Sequence, residues 1–289
     1  MTGIAERQVI APVRLPERSV RHDLRALKVV WQREIIRFVQ DRARLITGLL
    51  QPVLYLFVLG TGLSTLAAGS TGGFSLRTFI FPGVLALATM FTALFAAGSI
   101  VWDREFGFLR EMLVAPVSRA AIVVGKCLGG ATVATIQGSV MLTLLGAVGI
   151  PYSPPLVLTL LVELLVLSFT LTALGVVIAA RMKSIQSFFA LTQVFLMPMF
   201  FLSGALYPLK GLPAWLHVLT RIDPMTYAVD PMRHAIFSHV AVPAAARRIL
   251  EPGVTWGSWH VPVPVELAIV AAIGLLLLLG AIIEFRRTE

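Results

Sequence analysis

Charge is what this sequence has least of. Lysine, arginine, aspartate and glutamate make up 13% of its 289 residues, about half the share of an ordinary soluble domain. A chain so short of charge does not cover a water-facing surface of this size, and 57% of its residues are hydrophobic, with mean hydropathy +0.86. Cysteine is almost missing: Cys127 stands alone, which excludes a disulfide within the chain and a cysteine-based metal cluster. The nucleotide-binding loop G-x-x-x-x-G-K-[ST] is missing too. Gly125-Lys126 is followed by Cys127, and Ala120 stands where the first glycine belongs. No G-x-S-x-G and no H-E-x-x-H occurs, so the signatures of a hydrolase elbow and of a zinc peptidase are absent. His217, His234, His239 and His260 lie in one segment without clustered carboxylates or a fixed i, i+4 pair, a poor donor set for a metal. The first 44 residues lack the apolar core of a secretory signal, so no cleavable signal peptide is expected.

What fills the sequence is apolar runs. Six are long enough to cross a hydrocarbon layer of about 30 Å: 45–64, 79–101, 121–150, 156–180, 185–206 and 265–283. The expected fold class is an all-α membrane protein with six transmembrane helices. Pro52, Pro82 and Pro198 fall inside spans, where neighbouring helices re-satisfy the backbone. Pro151, Pro154 and Pro155 mark a tight turn between spans three and four. With the N-terminus inside, eighteen of the 24 lysines and arginines fall on the cytoplasmic side, which predicts a multi-pass protein of the cell membrane with both termini cytoplasmic. The net charge of +9 then meets anionic lipid and the orientation rule, and no nucleic acid is expected. No repeat relates the two halves.

Residues 1–20 are polar and read as a flexible cytoplasmic tail. Residues 21–44 read as an amphipathic interface helix, with Leu24, Leu27, Trp31, Ile35 and Phe38 on one stripe and basic residues off it; a helix packed on a partner is the other reading. Residues 45–289 form the six-helix domain. Within it, 207–264 is the largest outer segment, expected to hold two re-entrant helices, one at 212–216 opened by Pro213 and one over 226–237. Trp256 and Trp259 fit an interfacial belt.

The stretch 102–119, WDREFGFLREMLVAPVSR, interrupts the apolar runs with three acids and three bases. Asp103 and Glu105 favour a helix N-terminus and Pro116 ends it; Phe106, Leu109 and Leu113 then share a face. That is either a docking surface or a solvated loop. Glu163 lies about a third of the way into span four. An ionisable group there marks either a transport path or a hydrogen bond between helices. Glu266, at a helix end, is expected to face water.

DREFGFLREMLVAPVSRAAIVVGK resembles the cytoplasmic loop of ABC-2 type permeases, through Asp103, Glu105, Gly107, Glu111, Pro116, Ser118, Arg119, Gly125 and Lys126. A second block, PMFFLSGALYPLKGLPAWLHVLTRIDPMTYAVDPMRHAIF, is similar to the end of span five and the outer helices of that family. The likeness is to the daunorubicin-resistance and nodulation-export type, with Phe108 a departure where many relatives carry Thr. The resemblance implies a permease subunit of an ATP-driven exporter of lipid, drug-like or glycan cargo. It implies two ATPase subunits and a second permease copy or paralogue as partners. No cofactor would be bound by this chain, ATP and Mg being used by the partner. Asp103, Glu105, Phe106, Gly107, Leu109, Glu111, Leu113, Pro116 and Arg119 would form the coupling helix, with Phe106, Leu109 and Leu113 in a groove of the ATPase and the charges on its rim. The rival readings are an ion- or proton-coupled secondary transporter using Glu163, weakened by the missing repeat, and a membrane-embedded enzyme, weakened by the missing nucleophile–base pair.

Overall fold

The computed structural model describes residues 19–67, 74–108, 112, 117–257 and 259–288. It is built of α1 (Val20–Gln40), α2 (Arg42–Leu54), a π-helical turn (Tyr55–Leu59), α3 (Gly60–Ala67), α4 (Leu76–Glu105), α5 (Arg119–Leu142), α6 (Pro154–Arg181), α7 (Ile185–Leu202), α8 (Ala214–Ile222), α9 (Thr226–Phe237), α10 (Ala244–Leu250) and α11 (Val263–Thr288). A two-residue hairpin, β1 (Thr255–Trp256) against β2 (Trp259–His260), precedes α11. Among the described residues, six helical stretches are long and apolar enough to cross a membrane: the α2–α3 stretch, α4, α5, α6, α7 and α11.

The spine of the bundle is α4. Within its most apolar window 89% of residues are buried, against 17% for the α2–α3 stretch, 22% for α11 and 28% for α7. In lipid, apolarity alone does not pull helices together, and close packing at small residues does. Gly130 of α5 sits against Thr172 and Ala96, and Gly175 of α6 against Ala97 and Leu94, so a Cβ at either would stand 2.5 to 2.7 Å from its first neighbour. Large apolar side chains such as Phe79, Phe81, Leu85 and Met90 fill the interior between these contacts.

Two expected elements differ in extent: the outer helix expected at 212–216 runs over Ala214–Ile222, and span three is shorter than expected. Span three ends at Leu142 rather than Ile150: a short 3-10 turn, Gly146–Val148, follows, and Gly149 at φ +77° turns the chain toward α6. Pro154 and its neighbour then open α6 at positions where a missing N–H costs nothing. Pro52 lies one turn before the π-helical turn in α2, the kind of irregularity that accommodates a lost backbone hydrogen bond.

The N-terminal helix turns inward a face that overlaps its hydrophobic stripe only in part: Phe38 belongs to both, and Leu27, Trp31 and Ile35 are half-buried. Val30, Glu34 and Phe38 are its buried residues, while Leu24 is 60% exposed. The reason is α5, which carries Gly125 and Gly129 one turn apart. Ideal Cβ atoms there would stand 3.0 Å from Val30 and 2.8 Å from Glu34. That small-residue pair lets α1 lie close along α5, with Trp31 Nε1 donating to Thr132 Oγ1 at 3.0 Å.

Candidate functional site

The close crossing of α1 over α5 brings Glu34 onto Lys126. Lys126 Nζ lies 2.6 Å from Glu34 Oε1, 2.6 Å from Asp103 Oδ2 and 3.0 Å from Ser99 Oγ. Arg33 donates to the other oxygen of Asp103, and Arg37 Nη2 stands 3.5 Å from it. Five ionisable side chains from α1, α4 and α5 thus meet inside the protein, with Lys126, Asp103 and Glu34 all less than a tenth exposed.

This cluster is where residues 102–119 begin. The structure corrects the expectation that Asp103 and Glu105 start a separate helix. Both belong to the last turn of α4, which runs unbroken through Glu105, and Phe106 caps its C-terminus. Gly107 at φ +84° then breaks the chain away, its N–H bonded to Arg104 O at 3.2 Å, as a left-handed residue after a helix does. The acids lose the N-terminal role because the apolar run of α4 reaches them without a break. Asp103 is corrected in role as well: at 1% exposure it meets Lys126 and the two arginines, and no rim of a partner.

The flanking charges hold neighbouring helices. Arg104 donates to Ala179 O, Ala180 O and Met182 O at 3.0, 3.2 and 2.5 Å, capping the C-terminus of α6. Glu105 Oε2 accepts from Ile185 N at 3.2 Å, at the first residue of α7. Beyond the break, Ser118 N donates to Asp23 Oδ1 of α1 at 2.7 Å, and Arg119 Nη1 to Arg286 O near the end of α11 at 3.1 Å. Phe106 is 70% exposed and Phe108 53%, and Phe108 and Met112 are helical. Leu109, Glu111, Leu113 and Pro116 lie outside the described residues. The stretch therefore leaves from one helix and is tied at its two ends to α1, α6, α7 and α11.

A second polar group sits at the opposite end of the bundle. Glu163 of α6 is 2% exposed and its Oε2 has no hydrogen-bond partner. Glu266 is fully buried instead of facing water, a further correction: the first turn of α11 packs beneath α9, in the field of Asp230 and Glu163. Arg233 of α9 is buried beside them, its guanidinium 4.4 Å above the Phe79 ring and its Nη2 donating to Gly204 O at 2.6 Å. Burial pushes Arg233 down to about 10. It pushes the Asp223 carboxyl, which accepts Met225 N before α9, up to about 8. Sequence reasoning picked out Glu163 but missed Asp230, Arg233 and Asp223: the first two lie on the helix expected over 226–237, but in an outer segment where charged residues read as water-facing, and nothing local brings them to Glu163.

Residues 25–237 match the ABC-2 type transporter family over most of the chain. The chain belongs to that family. Nodulation protein J of Rhizobium leguminosarum bv. trifolii is 30% identical over 219 residues, covering 74% of this chain and 82% of that protein. A candidate transport permease of Cyanophora paradoxa, ycf38, is 29% identical over 227 residues, 75% of each chain. A candidate multidrug ABC transporter permease of Escherichia coli K12, YbhR, is 30% identical over 156 residues, 53% of this chain and 42% of that protein. This ABC-2 chain is a multi-pass membrane permease, a transport subunit rather than an enzyme. The match takes in both polar groups except Glu266: α1 from Arg25 onward, the 102–119 stretch, Lys126, Glu163 and the helix carrying Asp230 and Arg233 all fall inside it.

Proposed function

We propose that this chain is the membrane half of an ATP-driven exporter in the cell membrane, with both termini cytoplasmic, and that a separate ATPase drives it through residues 102–119. The observation that carries the reading is the anchoring of that stretch. One short segment is fixed to α1, α6, α7 and α11 and leaves Phe106 and Phe108 exposed. A push on it reaches four helices at once. A chain that contains no phosphate loop takes its energy by contact. Phe106, Leu109 and Leu113 enter a groove on the ATPase, while Glu105, Glu111 and Arg119 set register at its rim. Rim pairs contribute about 0 to 1 kcal/mol each, whereas an apolar anchor at a hot spot carries about 2 kcal/mol or more. Two permeases and two ATPases assemble, the second permease being a copy or a paralogue. The cargo is a lipid, a drug-like molecule or a glycan; the relatives named for nodulation and for multidrug transport support that range.

The test is co-purification with the ATPase, together with ATPase activity in lipid. A Leu109→Ala/Leu113→Ala double variant loses both, and Glu111→Arg is worse than Glu111→Ala. Unchanged co-purification and activity in the double variant would reject the stretch as the coupling element.

One observation favours a second reading. Glu163, Asp230 and Glu266 gather their carboxyls in the interior, an arrangement that suits proton or cation coupling. Transport that needs no nucleotide and is abolished by Glu163→Gln would favour it over the first.

A further inference from the structure

At the end of the bundle opposite residues 102–119, the segment between α7 and α11 folds around an open cavity of about 450 Å³. Three cations from three places in the chain reach its lining: Lys210 from the turn before α8, Arg221 from the last turn of α8 and Arg248 from α10. None of the three has an ion-pair partner among the described residues. Arg221 Nε is buried without a hydrogen-bond acceptor. The acid on the lining, Glu251, is already held, with His234 Nδ1 2.6 Å from one of its oxygens and Arg247 Nε 3.1 Å from the other. The cavity therefore carries a positive field that the protein itself leaves unanswered.

Helix α8 gives the second half of the argument. Its residues His217, Thr220 and Arg221, at i, i+3 and i+4, line the cavity. Its other face exposes Trp215, Val218 and Ile222, at 65%, 53% and 70%. In a membrane protein, an exposed stripe of this kind lies against acyl chains or at their boundary with the headgroups. One short helix thus presents a cationic cavity on one side and a lipid-facing surface on the other.

We propose that this cavity binds the phosphate-bearing headgroup of a membrane amphiphile, with Lys210, Arg221 and Arg248 on the phosphate oxygens and the acyl chains lying along Trp215 and Ile222. A lone carboxylate is satisfied by one guanidinium fork, whereas a phosphate offers oxygens in several directions and answers cations arriving from separate elements. The apolar face of α8 is what a free phosphate leaves unused. The site goes beyond the permease reading and stands apart from ATP coupling, because its occupancy is read on this chain alone.

The experiment is calorimetric titration of the purified chain in phosphatidylcholine nanodiscs with three probes: dihexanoyl phosphatidic acid, dihexanoylglycerol without a phosphate, and inorganic phosphate. Phosphatidic acid is expected to bind more tightly than either of the others. Arg248→Glu and Lys210→Glu, both at exposed positions, each weaken it about tenfold or more, the scale of a lost charge-assisted bond. Arg287→Gln, an exposed cation at the far end of α11, leaves it unchanged, and added salt weakens the wild-type titration. Equal binding of dihexanoylglycerol, equal binding of inorganic phosphate, or unchanged affinity in both glutamate variants would each overturn the proposal.

Discussion

Lys126 Nζ stands 2.6 Å from Asp103 Oδ2 and 2.6 Å from Glu34 Oε1, so one ammonium joins the N-terminal helix α1, the spine α4 and the helix α5. With Ser99 Oγ at 3.0 Å, all three of its donors are used. The three helices meet where α4 gives way to the stretch that ends at Arg119. Any displacement of that stretch works against this knot first.

Removing the lysine should show how much the knot holds. Lys126→Met leaves Glu34 buried without its cation, and breaking a buried pair from one side costs about 3–5 kcal/mol. Asp103 keeps Arg33 and Arg37. The double variant Lys126→Met/Glu34→Met removes the orphaned acid as well and should recover most of the loss. Thermal unfolding in detergent reads both; a double variant no better than the single would show that Glu34 is satisfied without Lys126.

Close helix approach makes a second expectation. A Cβ at Gly83 would stand 2.4 Å from Ala205 Cβ and 2.6 and 2.7 Å from its Cα and carbonyl oxygen. Backbone does not swing aside, so Gly83→Ala forces α4 away from the turn after α7, at about 1–3 kcal/mol. Gly280 of α11 has nothing within 4 Å of its would-be Cβ, and Gly280→Ala should gain up to about 1 kcal/mol of helix propensity. The unfolding midpoints should fall on opposite sides of the wild type.

These contacts also mark how far the sequence could be read. The spans and the helix over 226–237 were legible because uncharged runs and proline punctuation are local signals. The inward face of α1 was legible only in part. Glu34 lies three residues after Trp31 and four before Phe38, among the stripe, but an acid there has no local partner, and only the Gly125–Gly129 pair on another helix, with Lys126 between them, makes its burial affordable. Asp103 was misread for the same reason: its partners lie 70 and 23 positions away. The 102–119 stretch was visible as a break in apolarity, but not that Arg104 and Glu105 cap two other helices. The helix α10 and the hairpin of Trp256 and Trp259 left no periodic trace. Trp256 is held by Tyr227, whose hydroxyl accepts its Nε1–H at 2.9 Å, a contact no local pattern announces.

Asp223 gives a pH dependence whose sign follows from its burial. Its carboxyl is pushed from an ordinary 3.8 up to about 8, burial outweighing the hydrogen bond from Met225 N. A group raised in the folded state stabilises it in protonated form. That contribution is fully present below about pH 4, and it is lost as pH rises through about 8. The wild-type unfolding midpoint should therefore fall between pH 5 and pH 8.5. Asp223→Asn, which retains an oxygen acceptor for Met225 N and has no proton to lose, should flatten that fall. Parallel profiles for the two proteins would show that Asp223 ionises at no cost in the folded state.

Arg104 offers the sharpest separation of docking from transmission. Its guanidinium donates to three carbonyls at the end of α6, the helix that carries Glu163 at its other end. Hydrogen bonds from a charged donor contribute about 1.5–3 kcal/mol, and a cation at a helix C-terminus adds the dipole interaction. Arg104→Gln should therefore leave co-purification of the ATPase near the wild-type level, because the proposed anchors are intact. It should lower transport per ATP hydrolysed, because motion of the 102–119 stretch no longer pulls on α6. Glu105→Gln keeps an acceptor for Ile185 N and serves as the comparison: it weakens co-purification by no more than the about 0 to 1 kcal/mol of a rim pair, with transport per ATP hydrolysed close to normal. If Arg104→Gln lost the ATPase altogether, the residue would belong to the docking surface. If transport per ATP stayed at the wild-type ratio, α6 would not lie on the route from the coupling segment to the interior.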